Sequence, residues 1–553
     1  MEKIYGIDLG TTYSCIAHVD EFGKPVIIAN MENERTTPSV IFLETPENII
    51  VGTEAKNQLR AEPQKVASFI KRNMGDPHFI FHCHNRDYRP EELSAYILRK
   101  LAHDASEKMG QEVKNVVITC PAYFGINERE ATRKAGQLAG LNVMHIINEP
   151  TSAALAYGME QVQDQTVLVY DLGGGTFDVT IISVKQDAIE VVVTGGDHNL
   201  GGKNWDNSLM EYLSAQFLEK TGLEPETNIF ASPETYGDLQ IGAENAKKTL
   251  SQRDKTRVTI LWETYREAVE VSRETFDDIT AAHLQRTIML TDQLLEEAKA
   301  KNVFDFDKIL LVGGSTRMPQ ISQALEMRFP GKTIEFFDPD ESVAKGAAIY
   351  GHNLMINGEL IKRLANAMGV NTHDIDLENV PREHKEKVVN QLAGEMGTTT
   401  HAIIKSGIKI TNVVSKTFGV KTFNSELNRT VVFNMIMKQT AVPAEITDHF
   451  ETLSDNQRSV EIAIFENETT REWVEIADAV KLGEGSIEGL PAHLPKGSPI
   501  EITFRINAEG RLEVHAIETT GKNECQLTIE TTSVISDDEM SRVMQRNLNT
   551  RVS

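Results

Sequence analysis

Ile4-Tyr5-Gly6-Ile7 runs apolar into Asp8-Leu9-Gly10-Thr11-Thr12, and a second apolar stretch, Cys15 to Val19, follows. The same grammar returns at Val167-Leu168-Val169-Tyr170, then Asp171-Leu172-Gly173-Gly174-Gly175-Thr176-Phe177-Asp178, then Val179 to Ile182. Asp8 and Asp171 lie about 163 positions apart. A strand–turn–strand unit repeated in phase at that distance means two related lobes. A third apolar strand, Ile309 to Val312, ends in Gly313-Gly314-Ser315-Thr316-Arg317. Between these strands, Glu128 to Leu141, Pro150 to Tyr157 and Ser208 to Leu218 carry apolar or small residues at helical spacing. Strands alternating with helices predict an α/β architecture in two lobes.

The lobes do not account for the whole chain. At 553 residues it exceeds the ~250–300 residues that one core can serve. Near residue 415 the texture changes. Val431 to Met437, Val460 to Ile464 and Ile500 to Ile506 read as strands, Asn507-Ala508-Glu509-Gly510 as a hairpin turn, and Leu512 to Ala516 as the returning strand. An antiparallel β-sandwich is expected there. Between the two textures, 357–406 is polar and helix-rich, with Ile361, Leu364 and Met368 on one expected face and Val388 (or Val389), Leu392 and Met396 on another.

The 56 basic and 81 acidic side chains leave a formal charge of −25. That balance argues against nucleic acid and against an anionic membrane surface as partners, since both need clustered Lys and Arg. Cys15, Cys83, Cys120 and Cys525 are too few and too scattered for a disulfide scaffold. The first residues lack a secretory pattern, and a reducing cytoplasm is the expected compartment.

Glycine in a turn at a strand end lets backbone N–H groups approach a phosphate closely. An acidic residue at that strand end suits a hydrated magnesium ion. Two facing copies would grip a nucleotide tail and its metal from both sides. Gly196 to Lys203 lacks the spacing of a phosphate-binding P-loop.

Ile7-Asp8-Leu9-Gly10-Thr11-Thr12-Tyr13-Ser14, Asp171 to Asp178 and Gly313-Gly314-Ser315-Thr316-Arg317-Met318-Pro319 resemble the three signatures of the 70-kilodalton heat-shock (DnaK-type) chaperones. Ile70-Lys71-Arg72, Pro121-Ala122-Tyr123-Phe124, Ile147-Asn148-Glu149-Pro150-Thr151 and Asp338-Pro339-Asp340-Glu341 match as well. The resemblance implies a two-lobed actin-like (ribonuclease H-like) ATPase domain at 1–356. It also implies a helix-rich insert at 357–407, a linker at 408–414, a β-sandwich peptide-binding domain at 415–535 and a vestigial lid helix and tail at 536–553. The implied cofactors are ATP or ADP, Mg2+ and K+. By residue match, Asp8 and Asp171 would hold magnesium through its waters, and Gly10, Thr11, Thr12, Tyr13, Gly173, Gly174 and Gly175 would contact phosphates. Lys71 would orient the attacking water and stabilise the γ-phosphate, with Glu149 beside it and Thr176 and Asp178 completing the nucleophile side. Gly201, Gly202, Glu244, Lys247, Ser251, Gly313, Gly314, Ser315, Arg317 and Asp340 would enclose the rest of the nucleotide. Pro121 and Arg129 match the family's switch pair. Val420, Phe450, Val460 and Ile462 would line the peptide pocket, and Phe423 and Leu453 would arch over the peptide.

The implied function is an ATP-gated chaperone that binds extended hydrophobic segments of unfolded proteins, with a J-domain co-chaperone and a nucleotide-exchange factor as partners and a monomeric state. The alternative is a nucleotide-dependent interaction or exchange-factor module. Several departures bear on that choice. The lid is nearly absent, and Met74 to Arg89 is short. The linker Ile408-Lys409-Ile410-Thr411-Asn412-Val413 loses apolar positions. Gly201-Gly202-Lys203-Asn204 carries Lys and Asn where the family favours acids.

Overall fold

The computed structural model describes every residue except 1, 159–162, 186–187, 376, 378, 398, 529–533 and 548–549. Residues 529–533 of the expected sandwich and Leu548 of the expected tail helix therefore lie outside the described residues.

The sequence repeat becomes a structural one. In the first lobe the strands run in the order Asn142–Asn148, Asn115–Cys120, Ile4–Asp8, Tyr13–Val19, Pro25–Ile28. In the second the order is Thr333–Phe336, Lys308–Val312, Gln165–Leu172, Phe177–Val184, Ala188–Asp197. In both sheets the first three strands are mutually parallel and the last two return antiparallel. Strands covered on both faces must be apolar along their length. Val167, Leu168, Val169 and Tyr170 accordingly have no exposed surface. The helices Glu149–Gly158 and Ser342–Met368 fill the space between the sheets with small residues. Ala153, Ala154, Ala344, Ala347 and Ala348 are wholly buried there, which lets helix and sheet approach closely.

The second sheet does not stop at Asp197. Lys409–Val413 adds a parallel strand beside Ala188 to Glu190, and Ala441–Val442 pairs beyond it. The expected linker is thus a strand of the second lobe's sheet, lying between Ala188–Asp197 and Ala441–Val442. Beyond it lies the sandwich. One sheet holds Trp473–Val474, Arg429–Ile436, Thr417–Asn424, Ser459–Asn467 and Val480–Glu488; the other holds Ala444–Glu451, Pro499–Ile506, Leu512–Glu518 and Asn523–Thr528. Phe418, Ile464, Ile502, Phe504 and Val514 form its core.

Two expectations need correction. In 357–406 the buried face of the long helix is Ile356, Leu360 and Leu364, which meets Val388, Val389 and Leu392. Met368, expected on that face, is 36% exposed, because the helix outruns its partner before Gly369 ends it. The tail helix Asp537–Asn547 packs on the first lobe and not over the sandwich. Val534, Ile535 and Val543 are buried in that lobe's core. Arg546 pairs with the buried Glu92, and Arg551–Val552 then pairs with Asn48 and Ile49 as a parallel edge strand. An amphipathic segment goes where its apolar face and its charge find partners, and the first lobe offers both.

Candidate functional site

The strand-end turns of the two lobes meet face to face. A methyl group on Gly174 would stand 2.2 Å from Thr12 Oγ1, and one on Gly175 would stand 2.2 Å from Thr11 Cγ2. Only glycine permits that approach. Ser315 Oγ donates to Gly173 O at 2.9 Å, which ties the third turn to the second. A methyl on Gly313 would lie 2.5 Å from Asp171 Oδ1.

Charged groups converge at this point. Lys71, on the short turn Ile70–Asn73, pairs with Glu149 at the start of the helix Glu149–Gly158, and both are buried. Asp8 accepts from Thr119 Oγ1 at 2.9 Å. Asp178 accepts from the Tyr123 N–H at 3.1 Å. Burial pushes Asp8 up to about 7, the Glu149 charge adds to it, and Lys71 opposes. Burial, then Glu149, Asp178 and Asp8, drive Asp171 well above the carboxylate range. Burial and Glu149 push Asp178 up to about 7. For Lys71 burial works to lower the value, but Glu149 and Asp8 outweigh it and hold the ammonium form. Three buried carboxylates, Glu149, Asp171 and Asp178, and the half-buried Asp8 stand against one ammonium, a set that a further cation would balance. Among the described residues no group of three or more His, Cys, Asp or Glu is placed to hold a metal directly. The donor set fits a hydrated cation, which Asp8 and Asp171 would hold through its waters.

Around these turns lie most of the remaining expected residues. The helix Pro233–Leu250, capped by Ser232 Oγ on the Thr235 N–H, carries Glu244 and Lys247. Lys247 Nζ donates to Gly202 O at 3.0 Å and to Asp206 Oδ2 at 2.8 Å. Glu244 meets Lys56, Lys248 and the Tyr13 hydroxyl; its burial works to raise its pKa, but the two ammonium groups bring it down. Gly201 lies against Gly175, where a methyl would stand 2.5 Å from the Gly175 carbonyl carbon. Arg317 and Asp340 form a half-exposed ion pair at 2.6 Å. Ser251 Oγ donates to Lys247 O at 3.1 Å, so its hydroxyl turns into its own helix. Lys56 and Asp206 were missed in the sequence. Nothing marks Lys56, 188 positions from Glu244. Lys248, four residues after Glu244, was readable as a helical i,i+4 pair.

Pro121 is buried at the end of the strand Asn115–Cys120. Arg129 donates to Phe124 O at 3.1 Å and to Asn148 Oδ1 at 2.5 Å, beside Glu149. Gly510 of the sandwich lies over its side chain. In the sandwich, Val420 and Ile462 are almost fully buried, and Phe450 and Val460 pack on the same core while partly open. Phe423 and Leu453 are 40% and 58% exposed.

Fold and site define a two-lobed α/β protein with a charged cluster where its glycine turns meet and a docked β-sandwich. A family model described as Hsp70 protein matches residues 4–82, 77–364 and 377–552. The chaperone protein DnaK of two strains of Halobacterium salinarum is 36% identical over 552 residues, covering 98% of this chain and 77% of each relative. The chain belongs to the Hsp70 family, whose members are ATPases with a chaperone role.

Proposed function

We propose that this chain is an ATP-hydrolysing chaperone that binds extended hydrophobic segments of unfolded proteins, with its sandwich gated by the nucleotide in the lobes. The observation that carries this reading is the buried Lys71–Glu149 pair set among Asp8, Asp171 and Asp178 where the two glycine turns meet. Phosphoryl transfer needs positioning and charge neutralisation more than covalent help. Thr11, Thr12 and the backbone of Gly173 to Gly175 would grip the phosphates. Lys71 would orient the attacking water and take up charge developing on the γ-phosphate. The water oxygen bonds to phosphorus as the bridging oxygen leaves with ADP. Asp178, poised near neutral pH, suits the departing proton. Magnesium, held through water by Asp8 and Asp171, would supply charge neutralisation, and a potassium ion would fit the same demand.

The sandwich supports the peptide half of the reading. One Leu-sized side chain contributes about 1.5–3 kcal/mol, whereas micromolar binding needs about 8 kcal/mol. Backbone hydrogen bonds along an extended peptide, with Phe423 and Leu453 over it, would supply the remainder. The setting is cytoplasmic, with a J-domain protein and an exchange factor as partners and a monomeric chain.

The test is single-turnover ATP hydrolysis by the full chain, with and without a Leu-rich extended peptide and a J-domain. Stimulation by either supports the reading. ATP bound without hydrolysis would replace it with an exchange-factor role.

A further inference from the structure

Beside Lys71 the lobes touch through contacts that the chemistry above does not use. Phe69 stands at φ 58°, ψ 25°, immediately before the turn Ile70–Asn73 that carries Lys71. A bulky side chain rarely adopts this left-handed backbone, which persists only where surrounding structure holds it. From the second lobe, Lys203 sets its Nζ 4.2 Å from the centroid of the Phe69 ring. That is within range of a cation–π attraction, stronger where water is excluded. Lys203 is half-buried, and burial followed by the neighbouring Arg72 lowers its pKa.

On the other side of the turn, Arg72 donates from Nε to Gly175 O at 2.8 Å and from Nη2 to Asn204 Oδ1 at 2.7 Å. The same Asn204 oxygen accepts the Gly201 N–H at 3.0 Å. The Lys203 N–H meanwhile donates to Gly174 O at 2.8 Å. The turn bearing Lys71 is therefore clipped to the phosphate turn of the opposite lobe from two directions. An acid at 203 could not serve, because the ring face is the negative pole of its quadrupole.

We propose that Lys203 is a positioning residue for hydrolysis: its ammonium on the Phe69 ring locks the left-handed backbone and so sets Lys71 against the phosphate site. This rests on the reading of Lys71 as the catalytic lysine of an ATPase. Lys203 acts through Phe69 and is not itself a catalytic residue.

The test uses the full chain in four versions beside the wild type: Lys203→Met, Lys203→Arg, Phe69→Leu, and Lys203→Met with Phe69→Leu. Single-turnover hydrolysis and ATP affinity are measured for each. Lys203→Met should slow hydrolysis about three- to tenfold with ATP affinity unchanged. Lys203→Arg should retain the rate, since a guanidinium also rests on an aromatic face. Phe69→Leu should match Lys203→Met, and the double variant should be no slower than either, because both remove one contact. A wild-type rate in Lys203→Met, additive losses in the double variant, or affinity falling in step with rate would overturn the proposal. A wild-type chain that binds ATP without hydrolysing it overturns the ATPase reading instead. Amide exchange at 69–73 then still reads the latch: faster exchange in Lys203→Met supports it, and equal exchange overturns it.

Discussion

On the proposed reading, single residues carry the chemistry because each is held from more than one side. Lys71 is buried, paired with Glu149 and drawn toward Asp8. Lys71→Ala should keep ATP binding, which the glycine turns and Thr11 and Thr12 support. It should lower single-turnover hydrolysis by about 10²–10³, the cost of removing one preorganised charge from a transition state. Nucleotide binding and turnover measured on the same preparation check this, and turnover within threefold of wild type would remove Lys71 from the mechanism. Gly175→Ala acts by sterics: its methyl would overlap Thr11, so the two turns must part. ATP affinity should drop at least tenfold while the melting temperature moves little, as titration and thermal unfolding would show. Asp8, Asp171, Lys71 and the glycines were all legible as motif residues. Their mutual burial was not, since no sequence states which side chains share a low-dielectric site.

Elements position these residues and also tie the molecule together. The linker strand Lys409–Val413 lies parallel to Ala188 to Glu190 with Lys and Thr among its apolar residues. Lys409 is exposed and Thr411 only half-buried, so these polar side chains keep contact with water and cost the strand little. The tail makes a second tie. Arg546 and Asn547 both reach Glu92, and Arg99 donates to Thr550 O at 2.9 Å. Arg546→Ala would leave the buried Glu92 carboxylate short of its charged donor, at a cost of about 2 kcal/mol. Denaturant unfolding of the first lobe checks the size, and a change below about 0.5 kcal/mol would mean the tail pairing is incidental. The sequence showed that a helix could start at Ser536, and Ser536 does cap it, accepting the Glu539 N–H at 3.2 Å. Where that helix docks depended on Val543 joining the first lobe's core and on Arg546 finding Glu92, 454 positions away, beyond any local pattern.

Across the whole molecule the sandwich rests on both lobes. Gln439 exchanges two hydrogen bonds with the Thr194 backbone, Lys438 pairs with Glu297 at 2.6 Å, and Arg133 pairs with Glu509 at 3.0 Å. One contact makes this docking sensitive to pH. Glu466 of the sandwich is buried against the start of the helix Ile126–Leu138, facing Glu128 of that helix, with Lys416 and Glu468 nearby on its own domain. Burial, then the Glu128 charge, pushes it up to about 7. Undocked in water it would titrate near ~4.3. The docked form thus binds the proton more tightly. Docking should be strongest below the lower value, weaken as pH rises through that window, and level off above about 7. Amide exchange in 409–413, corrected for intrinsic rates, should rise across that range in wild type and stay flat in Glu466→Gln; a flat wild-type profile would discard the idea. The sequence by itself determined the two lobes, the strand-end carboxylates, the glycine turns and the sandwich, because each depends on local periodicity and on turns that only certain residues allow. The tertiary structure alone decided the linker's place as a strand of the second lobe's sheet, the tail's attachment to the first lobe, the Lys203–Phe69 contact and the Glu128–Glu466 encounter. Those depend on which surfaces meet when distant segments pack, and packing is set by the sum of shape and charge over the whole chain.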